Sequence, residues 1–149
     1  MVEIFSKPLP LGIAAPDFTL VDQDGRPFTL SHLRGSFVML VFYPGDETAV
    51  CRKQLCEIRD RSELLAANGV KAFGINPQSA ESHRKFGERH RFGFPLLVDR
   101  NQEVARLYRA RWLMTIRTVY LIDPEGVIRF ARRGKPSPEE VLEAAGVTV

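Results

Sequence analysis

The chain has 149 residues, of which 44% are hydrophobic and 26% charged, and its net charge is +3. This is the length and make-up of one folded globular domain, and it excludes a disordered chain. No apolar run approaches the ~20 residues that span a membrane. The positive charge is spread along the chain, with no basic run longer than two residues, so we expect no nucleic-acid partner. Residues 1–10 lack the apolar stretch of a signal peptide, which predicts a cytoplasmic protein.

The hydrophobic pattern predicts strands that alternate with helices. Residues 17–21 and 27–30 form an N-terminal β-hairpin joined by an Asp-Gly turn. The later strands are predicted at residues 37–43, 70–75, 95–98, 118–122 and 127–131. The helices are predicted at residues 48–69, 79–90, 102–108 and 138–145. This order predicts a single α/β domain over residues 1–149 with the thioredoxin fold, in which helices flank a central mixed sheet.

The two cysteines, Cys51 and Cys56, lie five residues apart near the start of the first long helix. A helix that begins near Thr48 places Cys51 in its first turn, where unpaired N–H groups and the helix dipole favour a thiolate. Thr48 is the expected N-cap, with its hydroxyl close to the sulfur. The stripe that faces the sheet then consists of Cys51, Leu55, Ile58, Ser62 and Leu65. Cys51 is therefore the predicted nucleophile.

Two other interpretations of the cysteines are weaker. Both could be small core hydrophobes, but Cys56 lies about 140° around the helix from Cys51, on its flank or solvent side. A structural zinc site would need further ligands at suitable spacing, and His32, His83 and His90 form no such cluster, so we expect no metal. His83 and His90 are interpreted as structural residues. Redox chemistry is the favoured interpretation of the pair.

Helix geometry limits how the two cysteines can react with each other. Across an intact helix, the Cα atoms of Cys51 and Cys56 stand roughly 8.7 Å apart. A disulfide requires Cα atoms within about 7 Å of each other. If the two residues pair, the first turns of the helix must unwind.

One sequence motif resembles that of a known family. Residues Pro44-Gly45-Asp46-Glu47-Thr48-Ala49-Val50-Cys51 fit the peroxiredoxin pattern of Pro, three residues, Thr, two residues and Cys. The second cysteine, five residues further on, is similar to that of the peroxiredoxin Q subfamily, also called bacterioferritin comigratory proteins. The resemblance covers nearly the whole chain and includes residues 18–25, 41–44, 82–86, 94–97 and 117–123.

The resemblance implies roles for five residues. Cys51 is the peroxidatic cysteine and Cys56 the resolving cysteine, while Thr48, Arg117 and Pro44 complete the site, and Pro44 shields the sulfur from water. We further expect the Cys51 N–H, the Thr48 hydroxyl and the Arg117 guanidinium to stabilise charge on the leaving oxygen. The chain departs from the family pattern in two places. It has Ala49-Val50 instead of the usual Pro-Gly, and Arg52 instead of Thr. We expect the β-branched Val50 to narrow the entrance to the sulfur.

The function implied by the resemblance is a thiol-dependent peroxidase that reduces hydrogen peroxide and organic hydroperoxides. Cys51 would become a sulfenic acid and condense with Cys56, and thioredoxin or a similar dithiol protein would reduce the disulfide. The resemblance implies no metal or other cofactor, no membrane partner and a monomer. A thioredoxin-like thiol–disulfide oxidoreductase would use a Cys-x-x-Cys pair, which the chain lacks. A non-enzymatic binding or chaperone domain on the same fold remains an alternative.

Overall fold

The computed structural model describes residues 7–146, and within them seven strands form one sheet. The order across the sheet is β2-β1-β5-β4-β3-β6-β7. The strands are β1 (Thr19–Val21), β2 (Pro27–Thr29), β3 (Phe37–Phe42), β4 (Val70–Asn76), β5 (Leu96–Val98), β6 (Thr118–Ile122) and β7 (Ile128–Arg133). Strand β4 is parallel to β3 and β5, whereas the other pairs are antiparallel. The predicted mixed sheet and N-terminal hairpin are therefore confirmed.

The helices are α1 (Ala49–Asp60), α2 (Ser62–Ala67), α3 (Ala80–His90), α4 (Glu103–Leu107) and α5 (Pro138–Ala144), with a 3-10 helix at Leu30–Leu33. Apart from the first helix, every predicted element begins and ends within two residues of its observed bounds. Thr48, Ser79 and Ser137 cap α1, α3 and α5, and each side chain accepts a hydrogen bond from the N–H three residues later.

The prediction of one continuous helix over residues 48–69 is wrong. The N–H of Arg61 is shared between the carbonyls of Glu57, at 3.2 Å, and Ile58, at 3.1 Å, which ends α1 and turns the chain before α2 begins. Ser62 is consequently exposed instead of lying on the stripe that faces the sheet. Leu65 still reaches the core.

The sheet separates two hydrophobic clusters. Met39, Val41 and Tyr43 point to the cluster that includes Cys51, Leu55 and residues of α3 and α5. The alternate residues of β3 point to the opposite cluster, which includes residues of α4. Strand β3 is thus buried on both faces, which explains its uninterrupted apolar sequence.

The prediction that residues 1–10 lack the apolar stretch of a signal peptide concerns mostly residues 1–6, which lie outside the part of the chain that the structure describes. The outer limits of the predicted domain, residues 1–6 and 147–149, lie outside that part too. Between residues 7 and 146, no helix is long and apolar enough to cross a membrane.

Candidate active site

Cys51 lies in the first turn of α1 and faces the sheet. Its side chain is fully buried, at 0% exposure. The N-cap Thr48 accepts the Cys51 N–H at 3.2 Å through its hydroxyl oxygen. The predicted helix start and cap are therefore present, and the Cys51 N–H bonds to the Thr48 hydroxyl oxygen. Because the Thr48 oxygen accepts this bond, its own hydrogen can donate to an anionic sulfur or a peroxide oxygen.

Arg117 reaches the sulfur from a different part of the chain. Its Nη2 donates to Cys51 Sγ at 3.1 Å. Strand β6 pairs antiparallel with β3, and Thr118 lies opposite Phe42. The start of β6 therefore meets the end of β3, so the residue before β6 lies beside the loop that leads from β3 to α1. The sheet brings together Thr48, Cys51 and Arg117, which are up to 69 positions apart in the sequence.

Gln54, which no sequence motif singled out, holds the same arginine. Gln54 is buried on α1, three residues after Cys51, and its Oε1 accepts from Arg117 Nη1 at 2.7 Å. Its Nε2 donates to the Gly134 carbonyl at 3.4 Å. Residues three apart share a helix face, so the position of Gln54 was available from the sequence, but its partner was not. One guanidinium therefore bridges Gln54 and Cys51.

A second missed residue is Asp46, which lies in the loop between β3 and α1. Its buried carboxylate accepts hydrogen bonds from four side chains, at distances of 2.7 to 3.1 Å. These donors are Tyr43, Asn76, Ser82 and His83. The parallel strands β3 and β4 end at the same edge of the sheet, which places Asn76 and the start of α3 next to this loop. Nothing in the local sequence distinguishes Asp46 from an ordinary turn residue.

The Asp46 cluster is ionic. Burial alone would raise the pKa of Asp46, but its hydrogen bonds and the charge of His83 outweigh burial and hold that pKa below its usual value. Both ring nitrogens of His83 face acceptors, since Nδ1 lies 2.7 Å from the Asp46 carboxylate and Nε2 lies 3.0 Å from the Leu97 carbonyl. His83 therefore lies between two oxygen acceptors and pairs with the buried Asp46 carboxylate. Burial and the Asp46 charge raise the pKa of Tyr43 well above its ordinary value, so Tyr43 remains a neutral donor.

Cys56 and Pro44 are the remaining predicted residues of the site. Both cysteines are free thiols, and Cys56 is half-buried on the flank of α1. Because both belong to the continuous helix Ala49–Asp60, their Cα atoms stand roughly 8.7 Å apart, too far for a disulfide. Pro44 is half-buried at the start of the loop that carries Asp46, and Val50 beside Cys51 is 48% exposed.

Metal ligands are not clustered in the described part of the chain. Between residues 7 and 146, no group of three or more His, Cys, Asp and Glu side chains is arranged to hold a metal ion. A buried thiol at a helix start, in contact with a guanidinium on a sheet of this topology, defines a cysteine-dependent redox protein.

Comparison with known proteins places the chain within this class. Residues 11–131 match the AhpC/TSA family model, and the chain belongs to that family. It is 35% identical over 148 residues to the chloroplastic peroxiredoxin Q of Sedum lineare, an alignment that covers 94% of this chain and 77% of that protein. It spans 61% to 67% of the length of other plant proteins of that name.

Solved structures give the same result. Peroxidoxin BcpB from Mycobacterium tuberculosis matches with a TM-score of 0.83 and 30% identity, over 93% of this chain and 95% of that one. The bacterioferritin comigratory protein of Xanthomonas campestris, studied for alkyl peroxide reduction, matches with a TM-score of 0.78 and 25% identity, over 93% and 94%. The predicted thioredoxin-type fold and peroxiredoxin Q resemblance are confirmed. The protein is a thiol-dependent peroxidase, and its family implies peroxide substrates and a thiol reductant.

Proposed function

We propose that Cys51 is the peroxidatic cysteine of this peroxidase and that Cys56 is its resolving cysteine. The observation that carries the proposal is the 3.1 Å contact between Arg117 Nη2 and the Cys51 sulfur. The guanidinium supplies a fixed positive charge next to the fully buried sulfur. Cys56 has no comparable contact with a cation among residues 7–146.

The first step transfers one oxygen atom from the peroxide to the sulfur. The Cys51 thiolate attacks one peroxide oxygen and the O–O bond breaks, so that Cys51 becomes a sulfenic acid. The second oxygen leaves with negative charge and takes up a proton to give water or an alcohol. Thr48 and Arg117 are the donors nearest this charge, and Gln54 keeps Arg117 in place. We assign Pro44, at the start of the same loop, the role of shielding the sulfur from water.

Formation of the thiolate does not by itself explain a fast reaction. Full ionisation of an ordinary thiol at neutral pH raises the thiolate concentration about 30-fold, because only about 3% is ionised at the start. The accompanying loss of basicity lowers nucleophilicity by roughly 10- to 18-fold. A net gain of about two- to threefold remains, so stabilisation of the leaving oxygen by Thr48 and Arg117 must supply most of the acceleration.

The second and third steps restore the enzyme. The Cys56 thiol condenses with the Cys51 sulfenic acid, a disulfide forms and water leaves. A dithiol protein such as thioredoxin then reduces the disulfide and becomes oxidised itself. Over the whole cycle, one peroxide is reduced and the two thiols of the dithiol protein are oxidised, so no further reactant is needed.

The proposal extends to the substrates, the cellular location and the oligomeric state of the protein. Organic hydroperoxides are included because the Xanthomonas campestris relative was studied for alkyl peroxide reduction. We assign the protein a working location in the cytoplasm, because two cysteines are too few for the disulfide framework of a small secreted protein. We further propose that the protein acts as a monomer, as the peroxiredoxin Q resemblance implies.

A coupled assay tests the assignment of the cysteines. Purified protein with peroxide, thioredoxin, thioredoxin reductase and NADPH should oxidise NADPH continuously. Cys51→Ser should abolish the reaction, whereas Cys56→Ser should consume one equivalent of peroxide and then stop, with a sulfenic acid at Cys51. Full activity of Cys51→Ser would show that the nucleophile has been assigned wrongly.

A further inference from the structure

The loop between α4 and β6 carries three consecutive exposed apolar side chains. Trp112, Leu113 and Met114, which we call the apolar tip, are 59%, 81% and 61% exposed. Single exposed apolar residues are common on protein surfaces, but a contiguous group marks an interaction site. Trp and Met are also enriched at protein interfaces.

Hydrogen bonds close the loop beneath the apolar tip. The Ile116 N–H donates to the Ala110 carbonyl at 2.6 Å, and the Trp112 N–H donates to the Met114 carbonyl at 3.0 Å. The Thr115 hydroxyl donates to Gln102 Oε1 at 2.8 Å, which ties the loop to the start of α4. The tip is thus presented on an ordered loop, so a partner does not have to order it on binding.

The residues that precede the apolar tip in the sequence carry positive charge. Arg106, Arg109 and Arg111, which we call the arginine collar, are exposed, and no ion pair joins them to any residue between 7 and 146. The sequence contains no Asp or Glu from residue 104 to residue 122. The surface therefore fits a partner that is both apolar and acidic. A second copy docked about a two-fold axis would place one arginine collar against the other, and like charges across an interface are unfavourable.

The apolar tip lies close to the redox site. Met114 precedes Arg117 by three residues, so their Cα atoms are at most about 11 Å apart. Arg117 in turn contacts the Cys51 sulfur. A standard protein interface covers about 800 Å² on each partner, which corresponds to a disc of roughly 16 Å radius. A protein seated on the tip would therefore also reach Arg117, the residue that contacts the sulfur.

We propose that the apolar tip and arginine collar are the docking surface for the acidic dithiol protein that reduces the Cys51–Cys56 disulfide. The proposal rests on the proposed function, because only that cycle produces the disulfide. One thiolate of the partner attacks a sulfur of the disulfide, the S–S bond breaks and a mixed disulfide forms. The second partner thiol displaces it, so the partner leaves as a disulfide and this chain regains two thiols and two electrons.

Substitutions on the docking surface should weaken the reductant step alone. With thioredoxin as the probe, Leu113→Ser and Arg111→Glu should each raise the KM for thioredoxin roughly tenfold, the size expected when an interface residue of this kind is lost. The rate of oxidation by peroxide in a single turnover should stay unchanged. Turnover with dithiothreitol, which needs no docking surface, should stay unchanged too.

Two matched variants control for the loss of an apolar or a charged surface residue. Leu11 is 60% exposed. The N–H of its neighbour Gly12 donates to the Ile128 carbonyl, so Leu11 lies at the end of the sheet opposite Arg117. Arg26 is exposed in the turn between β1 and β2, at the far edge of the sheet. Leu11→Ser and Arg26→Glu should leave the KM for thioredoxin at the wild-type value.

The remaining outcomes separate this proposal from the proposed function. The docking proposal is overturned if Leu113→Ser and Arg111→Glu leave the KM unchanged, or if they slow turnover with dithiothreitol equally. It is also overturned if the wild type turns over with dithiothreitol but not with thioredoxin. It fails as well if Leu113→Ser abolishes only self-association or binding to anionic lipid vesicles. If the wild type consumes no peroxide even with dithiothreitol, the proposed function itself is wrong.

Discussion

Formation of the Cys51–Cys56 disulfide should unfold the first turns of α1. Both residues belong to one continuous helix, in which their Cα atoms stand roughly 8.7 Å apart, and the disulfide requires a separation below about 7 Å. A small bend cannot remove this difference, because the two side chains also point about 140° apart around the helix. The oxidised protein should therefore lose helical hydrogen bonds between Ala49 and Cys56.

The size of the effect follows from what holds the helix start in the reduced protein. Opening this segment exposes Leu55, which is fully buried and contributes roughly 2–3 kcal/mol. Opening also breaks the hydrogen bond of the Thr48 cap, which contributes about 1 kcal/mol. A total of roughly 3–4 kcal/mol protects the amides of this segment from exchange by a factor of about 10² to 10³. Oxidation should remove most of that protection.

Amide hydrogen exchange measured by mass spectrometry can test this expectation. Peptides that cover residues 49–56 should exchange about 10²- to 10³-fold faster in the disulfide form than in the reduced form. Peptides from α3 should exchange equally in both forms. Cys56→Ser oxidised to the sulfenic acid serves as a further control, and its α1 should remain protected because no disulfide forms.

One result would refute the reasoning. If mass spectrometry shows an intramolecular Cys51–Cys56 bond and residues 49–56 keep their protection, the disulfide fits within the helix. The geometric argument, which treats α1 as a regular helix, would then be wrong.

Three further predictions concern the surroundings of the sulfur. Arg117→Ala should slow the first step by roughly 10²- to 10³-fold, because the arginine acts on the charge that develops on the leaving oxygen. This loss of rate, measured by stopped flow, should exceed the loss of thiolate measured by titration. A rate that falls only in proportion to the thiolate fraction would contradict the prediction. Gln54→Leu should slow the same step roughly tenfold, because Arg117 then loses the 2.7 Å hydrogen bond that holds its guanidinium in place. An unchanged rate would mean that Arg117 needs no such support. Asp46→Asn should lower the free energy of unfolding in urea at pH 7 by roughly 3–5 kcal/mol, because it breaks a buried ion pair. The pKa of Asp46 is lower in the folded protein than its ordinary value of 3.8. The stability that its ionised carboxylate contributes is therefore fully present above pH 3.8 and is lost as the pH falls through the pKa of the folded state. As the pH is lowered from 5 to below the folded pKa of Asp46, the wild type should thus lose more free energy of unfolding than Asp46→Asn. Equal losses would show that the Asp46 carboxylate does not stabilise the fold.

The elements of the fold were predictable because their signals are local. The apolar run of β3, the capping residues Ser79 and Thr48, and the alternation of strands with helices are all read within a few positions of the chain. The break after Asp60 was not, since Arg61 carries no Gly or Pro signal and the apolar period continues to Leu65. The shared hydrogen bond at Arg61, which ends α1, has no such marker in the sequence.

The sequence by itself determined the helix start, since the position of Cys51 in the first turn and its cap at Thr48 follow from helix chemistry over four residues, and this position led to the prediction that Cys51 is the nucleophile. The resemblance also singled out Arg117. The tertiary structure alone decided which groups touch the sulfur. The pairing of β3 with β6 places Arg117 at Cys51, and Gln54 fixes it there. The parallel pairing of β3 with β4 gives Asp46 three of its four donors, namely Asn76, Ser82 and His83. These contacts join residues 30 to 66 positions apart, and no local pattern encodes them because they exist only once the sheet has formed.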